Sequence, residues 1–382
     1  MTAMDPAMLT VDLATEIATE TSEILGYRVL ITDNDGLVIG SGEPERIGTL
    51  HSPSIEVVAT QRASSRTRAE LADAGVRPGI TMPITIDGAT IGTVGIAGPP
   101  RTVRKLGRLV QRQTEILLRE SLAHRTRVLH ENAVAQLVRD IVMYDERVLE
   151  ERVLTARAEE LGYDLSGDRV AITVEPRDDR RPLRIQAVRE VFPGREDIVT
   201  ELAPERCLVL HRTGRAPRER LVERCRSVLD TLRLRGGSDV RLGVGGIGRG
   251  VTALSRSCEE AGSALRIGTR CSPGEAVIDI EDVRVHQIVE SVPAPVRSGF
   301  AERQLSALRA RGDYEHLRAT VIAWCTGGFH LGRTAALLNV HRNTVVYRLE
   351  RIGQLTGTDI REPRHALAMH LACLADQLAG SE

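Results

Sequence analysis

Hydrophobic and polar positions change period several times along this chain, and each change predicts a new element. Over Val11–Leu25, the residues Leu13, Ala14, Ile17, Ala18, Ile24 and Leu25 fall on one helical face, and Gly26 ends the helix. Arg28–Thr32 and Leu37–Gly40 read as short strands around the turn residues Asp33-Asn34-Asp35-Gly36. A short helix near Pro53–Thr60 follows. Gly79–Ile86 and Ala89–Gly98 then flank Asp87-Gly88, a strong type I′ hairpin signal. Helix, hairpin, connector and hairpin predict a small antiparallel sheet of the kind sensory domains use.

From Arg101 to about Glu159 the pattern is long and helical. Leu106, Leu109, Val110, Gln113, Ile116, Leu117, Val134, Leu137, Val138 and Ile141 keep one apolar stripe, interrupted by a polar patch at His124–Arg127. Such a stripe suits either a coiled coil with a second copy or two ordinary helices packed on their own domains. Asp168–Glu281 reads βαββαβ. Its strands are Arg169–Glu175, Ile198–Leu202, Arg206–His211, Val240–Val244 and Ala276–Ile280, with helices near Pro182–Val191, Pro217–Arg235 and Thr252–Gly268. Pro293 and Pro295 mark a linker after a helix at Val283–Val292. Helices near Phe300–Ala310 and Tyr314–Thr326 come next, and Trp324 and Phe329 are expected to anchor their core. His365–Leu378 is a closing amphipathic helix.

Between these last helices lies Thr334–Gly353. Thr334–Leu338 forms a short helix that Asn339-Val340-His341 breaks, since Asn tolerates the left-handed conformation of a tight turn. A second helix begins near Arg342–Thr344, with Val345, Val346, Leu349 and Ile352 on one face and Arg342, Asn343, Tyr347, Arg348 and Arg351 on the other. Periodicity alone leaves two readings open: a buried helical hairpin with a solvated basic face, or a helix-turn-helix that enters a DNA major groove. On the second reading, Arg342, Asn343 and Thr344 reach base edges, while His341, Arg348 and Arg351 contact phosphates.

Composition narrows the classes. The 382 residues leave room for two or three domains, and 42% hydrophobic content supports packed cores. A formal net charge of -1 excludes a general polyanion binder, so DNA binding must rest on a local patch. Lys105 is the sole lysine. The six cysteines, Cys207, Cys225, Cys258, Cys271, Cys325 and Cys373, form no C-x-x-C pair and read as small apolar residues in a reducing compartment. With no signal peptide and no apolar run of about 18 residues, the expectation is a soluble, cytoplasmic protein without a membrane partner. No cluster has metal-ligand spacing, no Ser-His-Asp set can be placed, and neither metal nor cofactor is expected. Gly243-Val244-Gly245-Gly246-Ile247-Gly248 matches G-x-G-x-x-G, but the nearest strand acids, Asp279 and Glu281, lie too far on for a dinucleotide site. Flexible strand-to-helix packing is the better account. The loops Ser41–His51 and Gly79–Ile84 hold more chemistry. Arg46 can clamp a carboxylate and His51 can donate beside it, although such a pair is also a common solvated loop feature.

Several of these stretches resemble known families. Ala335-Ala336, Leu338, Val340-His341-Arg342-Asn343-Thr344, Tyr347-Arg348-Leu349 and Leu355-Thr356-Gly357 resemble the C-terminal helix-turn-helix of the purine catabolism regulator and carbohydrate diacid regulator families. Residues 5–127 resemble the sugar diacid recognition domain through Ile39-Gly40-Ser41-Gly42, Glu45-Arg46-Ile47-Gly48 with Leu50-His51, Val76-Arg77-Pro78-Gly79-Ile80 with Pro83-Ile84, and Gly92-x-Val94-Gly95-Ile96-x-Gly98. Thr81 stands where that family usually has Asn. Asp168–Glu281 resembles a degenerate nucleotide-cyclase-like domain. Its hairpin Leu202-Ala203-Pro204-Glu205-Arg206 lacks the paired glycines and metal-binding acids of an active cyclase.

The resemblance implies a multidomain α+β chain. It has a PAS/Cache-like α+β sensor at 5–127, a helical linker at 128–160, a degenerate GGDEF-like, ferredoxin-like α/β domain at 161–282 and an all-α helix-turn-helix domain at 296–380. The implied function is a ligand-responsive, DNA-binding transcription regulator, not an enzyme. Its partners would be operator DNA, a sugar diacid or glycerate-like hydroxy acid, and a second copy in a homodimer or higher even oligomer. Ser41, Arg46, Gly48, His51, Arg77, Gly79 and Thr81 would hold the effector, with Arg77 equally readable as a surface charge. His341, Arg342, Asn343, Thr344, Tyr347, Arg348 and Arg351 would meet DNA. A nucleotide-processing or nucleotide-binding enzyme acting through the central domain is the alternative, and a scaffold whose helix-turn-helix binds protein is a third reading.

Overall fold

A computed structural model describes residues 9–67, 77–177, 183–203, 206–214, 217–236 and 239–379. The chain divides into two compact units, Met1–His130 and Glu131–Glu382.

In the first unit, α1 (Val11–Leu25) is capped by the Thr10 hydroxyl and ends at Gly26 with φ 67°. The strands β1 (Val29–Thr32), β2 (Val38–Ser41), β3 (Ser64–Arg66), β4 (Gly79–Ile86) and β5 (Ala89–Ala97) form one sheet in the order β2-β1-β5-β4-β3. All neighbours are antiparallel. At the β4–β5 turn both Asp87 (φ 48°) and Gly88 (φ 85°) have positive φ, as a type I′ turn requires. α1 lies almost in backbone contact with β2: a Cβ on Gly40 would sit 2.2 Å from Ala14 O. α2 (Ser52–Thr60) follows the loop after β2. The core gathers Ile17, Val29, Ile31, Ile84, Val94 and Ile96, with Val103, Val110 and Leu118 from α3 (Pro100–Val142).

α3 continues unbroken through the polar patch at His124–Arg127. Its buried line in this unit is Val103, Gly107, Val110, Thr114 and Leu118. Leu109 (60% exposed) and Ile116 (46%) stand outside the stripe to which the sequence assigned them. Leu109 lies one residue from buried Val110, and Ile116 one residue from buried Glu115, about 100° of helical turn in each case.

In the second unit, Val134, Leu137, Val138 and Ile141 of α3 are buried with Leu154 and Ala158 of α4 (Glu151–Glu160) and with Ala171, Leu208 and Leu210 of a second sheet. The segment expected as a linker, 128–160, therefore supplies core. A strong apolar stripe must be covered, and here the sheet covers it. The elements are β6 (Arg169–Pro176), α5 (Ile185–Val191), β7 (Ile198–Ala203), β8 (Arg206–Arg212), α6 (Arg218–Gly236), β9 (Val240–Gly248), α7 (Gly250–Cys271) and β10 (Val277–Asp279). Strand order is β10-β9-β6-β8-β7, with only β10 and β9 parallel. Val76, Pro182 and the hairpin tip Pro204-Glu205, all used in the sequence reading, lie outside the described residues.

The G-x-G-x-x-G run has a packing explanation. A Cβ on Gly243 would lie 2.2 Å from Ala261 O, and one on Gly245 would lie 2.1 Å from Ser257 O. α7 thus crosses β9 at backbone contact, a distance that only glycine permits. Helix occupies that face of the strand, which leaves no space for a pyrophosphate.

Helices α8 (Arg284–Ser291), α9 (Ala294–Arg309), α10 (Tyr314–Thr326), α11 (Leu331–Leu337), α12 (Arg342–Thr356) and α13 (Pro363–Ala379) complete the unit. The expected linker at Pro293 and Pro295 is instead a tight junction between α8 and α9. Pro295 lies in the first turn of α9, where a missing N–H costs nothing. One apolar cluster joins Ala264, Ile267, Ile278 and Ile280 to Leu305, Leu317, Trp324 and Leu374. Trp324 is 5% exposed and donates its Nε1–H to Ile360 O at 3.2 Å. Phe329, expected as a second anchor, meets Trp324 edge-on at 5.9 Å but stays 44% exposed. It covers the core edge and does not fill the interior. The architecture is α+β, with a helical C-terminal region.

Candidate functional site

A half-open cleft of about 570 Å³, counting the solvent at its mouth, lies in the first unit. Small residues pave its floor. Thr81 of β4 stands opposite Gly95 of β5, and Gly79 stands opposite Ala97, so all four share one face of the sheet. A Cβ on Gly95 would come within 3.6 Å of His51 Cε1, so the missing side chain leaves room beside the imidazole. Of the residues named from sequence, Ser41, Arg46, His51, Arg77, Gly79 and Thr81 line this cleft. Gly48 does not. Its φ of 82° serves a loop turn, and its N–H donates to Val38 O at 2.8 Å, so it has no donor left for an anion.

Sequence reasoning missed Arg28, Glu43 and Arg66, which also line the cleft. Arg66 arrives on β3, an edge strand whose Ser-Ser-Arg carries no apolar alternation to announce it. Arg66 pairs with Glu56 at 2.7 Å. Glu43 holds Arg28 in an ion pair and accepts from Arg77 with both oxygens at 3.0 Å. The Glu43 N–H in turn donates to the buried Ser41 hydroxyl at 3.0 Å. Arg46 comes from a single 3₁₀ turn, Pro44–Arg46, is half-buried, and has no side-chain partner among the described residues. Among the described residues, four guanidinium groups therefore line the cleft with one carboxylate, a surplus of positive charge that suits an anion even with Arg66 paired to Glu56. His51 is buried, and desolvation, then Arg46 and Arg66, push its pKa down from 6.5 to about 4. The imidazole is neutral at pH 7.

The second candidate site is the surface of α11 and α12. Asn339 has φ 51°, the left-handed turn expected of it, and the Val340 N–H closes α11 on Ala335 O at 3.0 Å. His341 caps α12, its Nδ1 accepting the Asn343 N–H at 3.3 Å, which leaves its proton on Nε2. Val345, Leu349 and Ile352 are buried, while Val346 is only half-buried. His341, Arg342, Asn343 and Tyr347 (64%) are exposed, and Thr344 and Arg351 are half-buried. Arg348 is half-buried and also reaches back to Thr320 of α10 at 3.4 Å. Arg333, exposed on α11, was not singled out from sequence although it adds charge to this surface.

Comparison with known proteins matches the parts in chain order. Residues 9–141 match the sugar diacid recognition family, 145–267 the GGDEF-like domain and 317–375 the PucR C-terminal helix-turn-helix domain. The carbohydrate diacid regulator of Escherichia coli (strain K12) is 26% identical over 382 residues, covering 96% of this chain and 97% of that protein. The chain is thus similar to a carbohydrate diacid regulator along nearly its whole length. An uncharacterized relative of this regulator in Bacillus subtilis (strain 168), YsfB, is 25% identical over 371 residues, covering 94% of this chain and 96% of that one. The purine catabolism regulatory protein of Bacillus subtilis (strain 168) is 26% identical over 141 residues, covering 36% of this chain and 26% of its own length. The regulator is thus one of the sugar diacid and purine catabolism transcription regulators, which act through a DNA-binding helix-turn-helix. Its likeness to GGDEF domains is one of fold. Among the described residues, no group of side chains could hold a metal ion, and no helix is long and apolar enough to cross a membrane.

Proposed function

We propose that this regulator senses a small sugar diacid or a glycerate-like hydroxy acid in the first-unit cleft, and that the effector controls its binding to operator DNA. The observation that carries this reading is the charge of the cleft among the described residues: Arg28, Arg46, Arg66 and Arg77 against the one lining carboxylate of Glu43. A carboxylate is costly to strip of water unless charged donors replace the water, and the Arg46 guanidinium, with no side-chain partner among the described residues, can do so. Arg77 retains donors beyond those it gives to Glu43 and is placed for a second carboxylate. The Ser41 and Thr81 hydroxyls take remaining oxygens. Thr81 is shorter than an Asn, which favours a ligand that differs from the family's usual diacid. A five-stranded antiparallel sheet with helices against it supports a PAS/Cache-like sensor. We read the central sheet as a relay without catalysis and the last helices as the DNA reader, with Arg342 and Asn343 on base edges and His341 and Arg351 on phosphates.

The reader works as a homodimer or higher even oligomer, since two half-sites multiply the contacts one recognition helix makes. A protein that reads operators works beside the chromosome, in the cytoplasm. The test is a thermal-shift screen of four- to six-carbon diacids and hydroxy acids, followed by mobility shifts on the protein's own upstream DNA with and without the hit. Light scattering accompanies both. Stabilisation by one of these acids and an acid-dependent DNA affinity are expected. No stabilisation by any of them, or an intact footprint from a strictly monomeric chain, refutes the corresponding part.

A further inference from the structure

Behind His51 runs a line of hydroxyls that connects three elements. His51 Nδ1 lies 2.7 Å from Ser54 Oγ, Ser54 Oγ lies 2.6 Å from Thr93 Oγ1, and Thr93 Oγ1 lies 2.9 Å from Thr32 Oγ1. The line ends at the Asp33 carbonyl, 3.0 Å from Thr32 Oγ1. All four side chains are buried, and Thr32, Ser54 and Thr93 are fully so.

A carbonyl can only accept, and that fixes the direction of every hydrogen in the line. The Thr32 hydroxyl donates to Asp33 O. Having spent its one proton, Thr32 must accept from Thr93, and Thr93 must then accept from Ser54. Ser54 has no proton left, so the remaining contact is made by His51, whose Nδ1–H donates to Ser54 Oγ. Reversing the line would leave the Thr32 and Asp33 oxygens facing each other at 3.0 Å with no hydrogen between them. Only the first direction puts one proton in each contact.

In a neutral imidazole, a proton on Nδ1 leaves Nε2 bare. Nε2 has no partner among the described residues. It sits next to Cε1, on the side of the ring where Gly95 leaves space in the cleft. The Glu43 carboxylate also accepts but is held by Arg28 and Arg77, and the other strong groups around the cleft, the arginines and the serine and threonine hydroxyls, can donate. The sequence reading gave His51 a donor's role as well, and the hydroxyl line reverses it.

We infer that the Thr32–Thr93–Ser54 line locks His51 as the cleft's hydrogen-bond acceptor, making it the residue that selects a hydroxylated carboxylate over its deoxygenated counterpart. A hydroxyl on the effector gives its proton to Nε2. A methylene at the same place leaves Nε2 desolvated and unpaired, which costs far more than a missing contact in water. The low basicity of the buried ring keeps Nε2 unprotonated across the physiological range. The inference rests on the effector reading above and adds the chemical feature that the site discriminates.

The test has two independent arms. The first is ¹⁵N-histidine NMR of the full-length protein without ligand, with His51 assigned by its loss in His51→Gln. Nδ1 is expected to carry the hydrogen and Nε2 to show the bare-nitrogen signal. The second is calorimetric titration with matched acids: malate against succinate, and glucarate against adipate. The hydroxylated member of at least one pair is expected to bind about tenfold tighter or better. Thr93→Val keeps the shape of the strand residue but removes the acceptor for Ser54. Ser54 then donates to Nδ1, the proton moves to Nε2, and both the NMR pattern and the preference are lost. Thr93→Ser restores both, which separates the proton line from a packing effect. A hydrogen on Nε2 in the wild-type protein, or equal affinity for both members of each pair, overturns the assignment of His51 while leaving the effector site in place. Failure of all four acids to bind overturns the effector reading, and the inference falls with it.

Discussion

Arg46→Ala isolates the charge that the cleft leaves uncompensated. Arg46 is half-buried and has no ion-pair partner among the described residues, so its removal changes the stability of the free protein by only about 0.5 kcal/mol. Bound to a carboxylate through two charge-assisted hydrogen bonds, it contributes about 2–3 kcal/mol to affinity, a loss of roughly 30- to 150-fold in Kd on truncation. With effector at a hundred times the wild-type Kd, linkage adds about 2.7 kcal/mol to the wild-type protein, or about 10 °C in melting temperature at about 4 °C per kcal/mol. At the same concentration the variant gains less than about 1 kcal/mol, and its shift falls below about 4 °C. Differential scanning fluorimetry with a dilution series of the acid reads both numbers in one plate. A variant that keeps the full wild-type shift shows that the carboxylate is held elsewhere. An apo melting temperature that drops by as much as the ligand shift shows that Arg46 is structural.

Three other outcomes follow from the geometry. Arg342→Ala and Asn343→Ala should each cost about 1–3 kcal/mol on the operator and flatten discrimination between sequences, while His341→Ala and Arg351→Ala should weaken all DNA alike and reduce the salt slope; titrations on specific and scrambled duplexes at two salt concentrations decide this. His51 has its folded-state pKa lowered to about 4 from 6.5, so the unfolded chain takes up its proton first as pH falls. Stability is therefore complete above about pH 6.5 and declines towards pH 4, by about 3 kcal/mol in total, and His51→Gln should remove that part of the pH profile of urea unfolding. Gly243→Ala would put a Cβ 2.2 Å from Ala261 O, so α7 must move off β9 at a cost of about 1–3 kcal/mol; a variant as stable as wild type in urea contradicts the close crossing.

Local order was written in the sequence. α1 and its Gly26 stop, the Asp87-Gly88 turn, and the Asn339 break between α11 and α12 each depend on a periodic run or on a backbone conformation that few residues tolerate. The same local signals placed most strands of the central sheet within a few residues. Short motifs also placed Arg46, His51, Arg77 and Thr81 in two loops that could share a ligand.

What those loops share was decided only by tertiary structure. Arg28 and Glu43 enter the cleft because β1 lies beside β5, and Arg66 because a polar edge strand pairs with β4. Polar contacts carry no periodicity, and the hydroxyls that set the His51 proton are 39 and 61 residues apart along the chain. Gly48 shows the converse: a residue type suited to a ligand loses that role once its N–H is used within the fold. The glycines of β9 spell a phosphate motif in sequence, yet they serve a helix crossing, because α7 turns straight back over β9 at backbone contact, a packing that shows only in three dimensions.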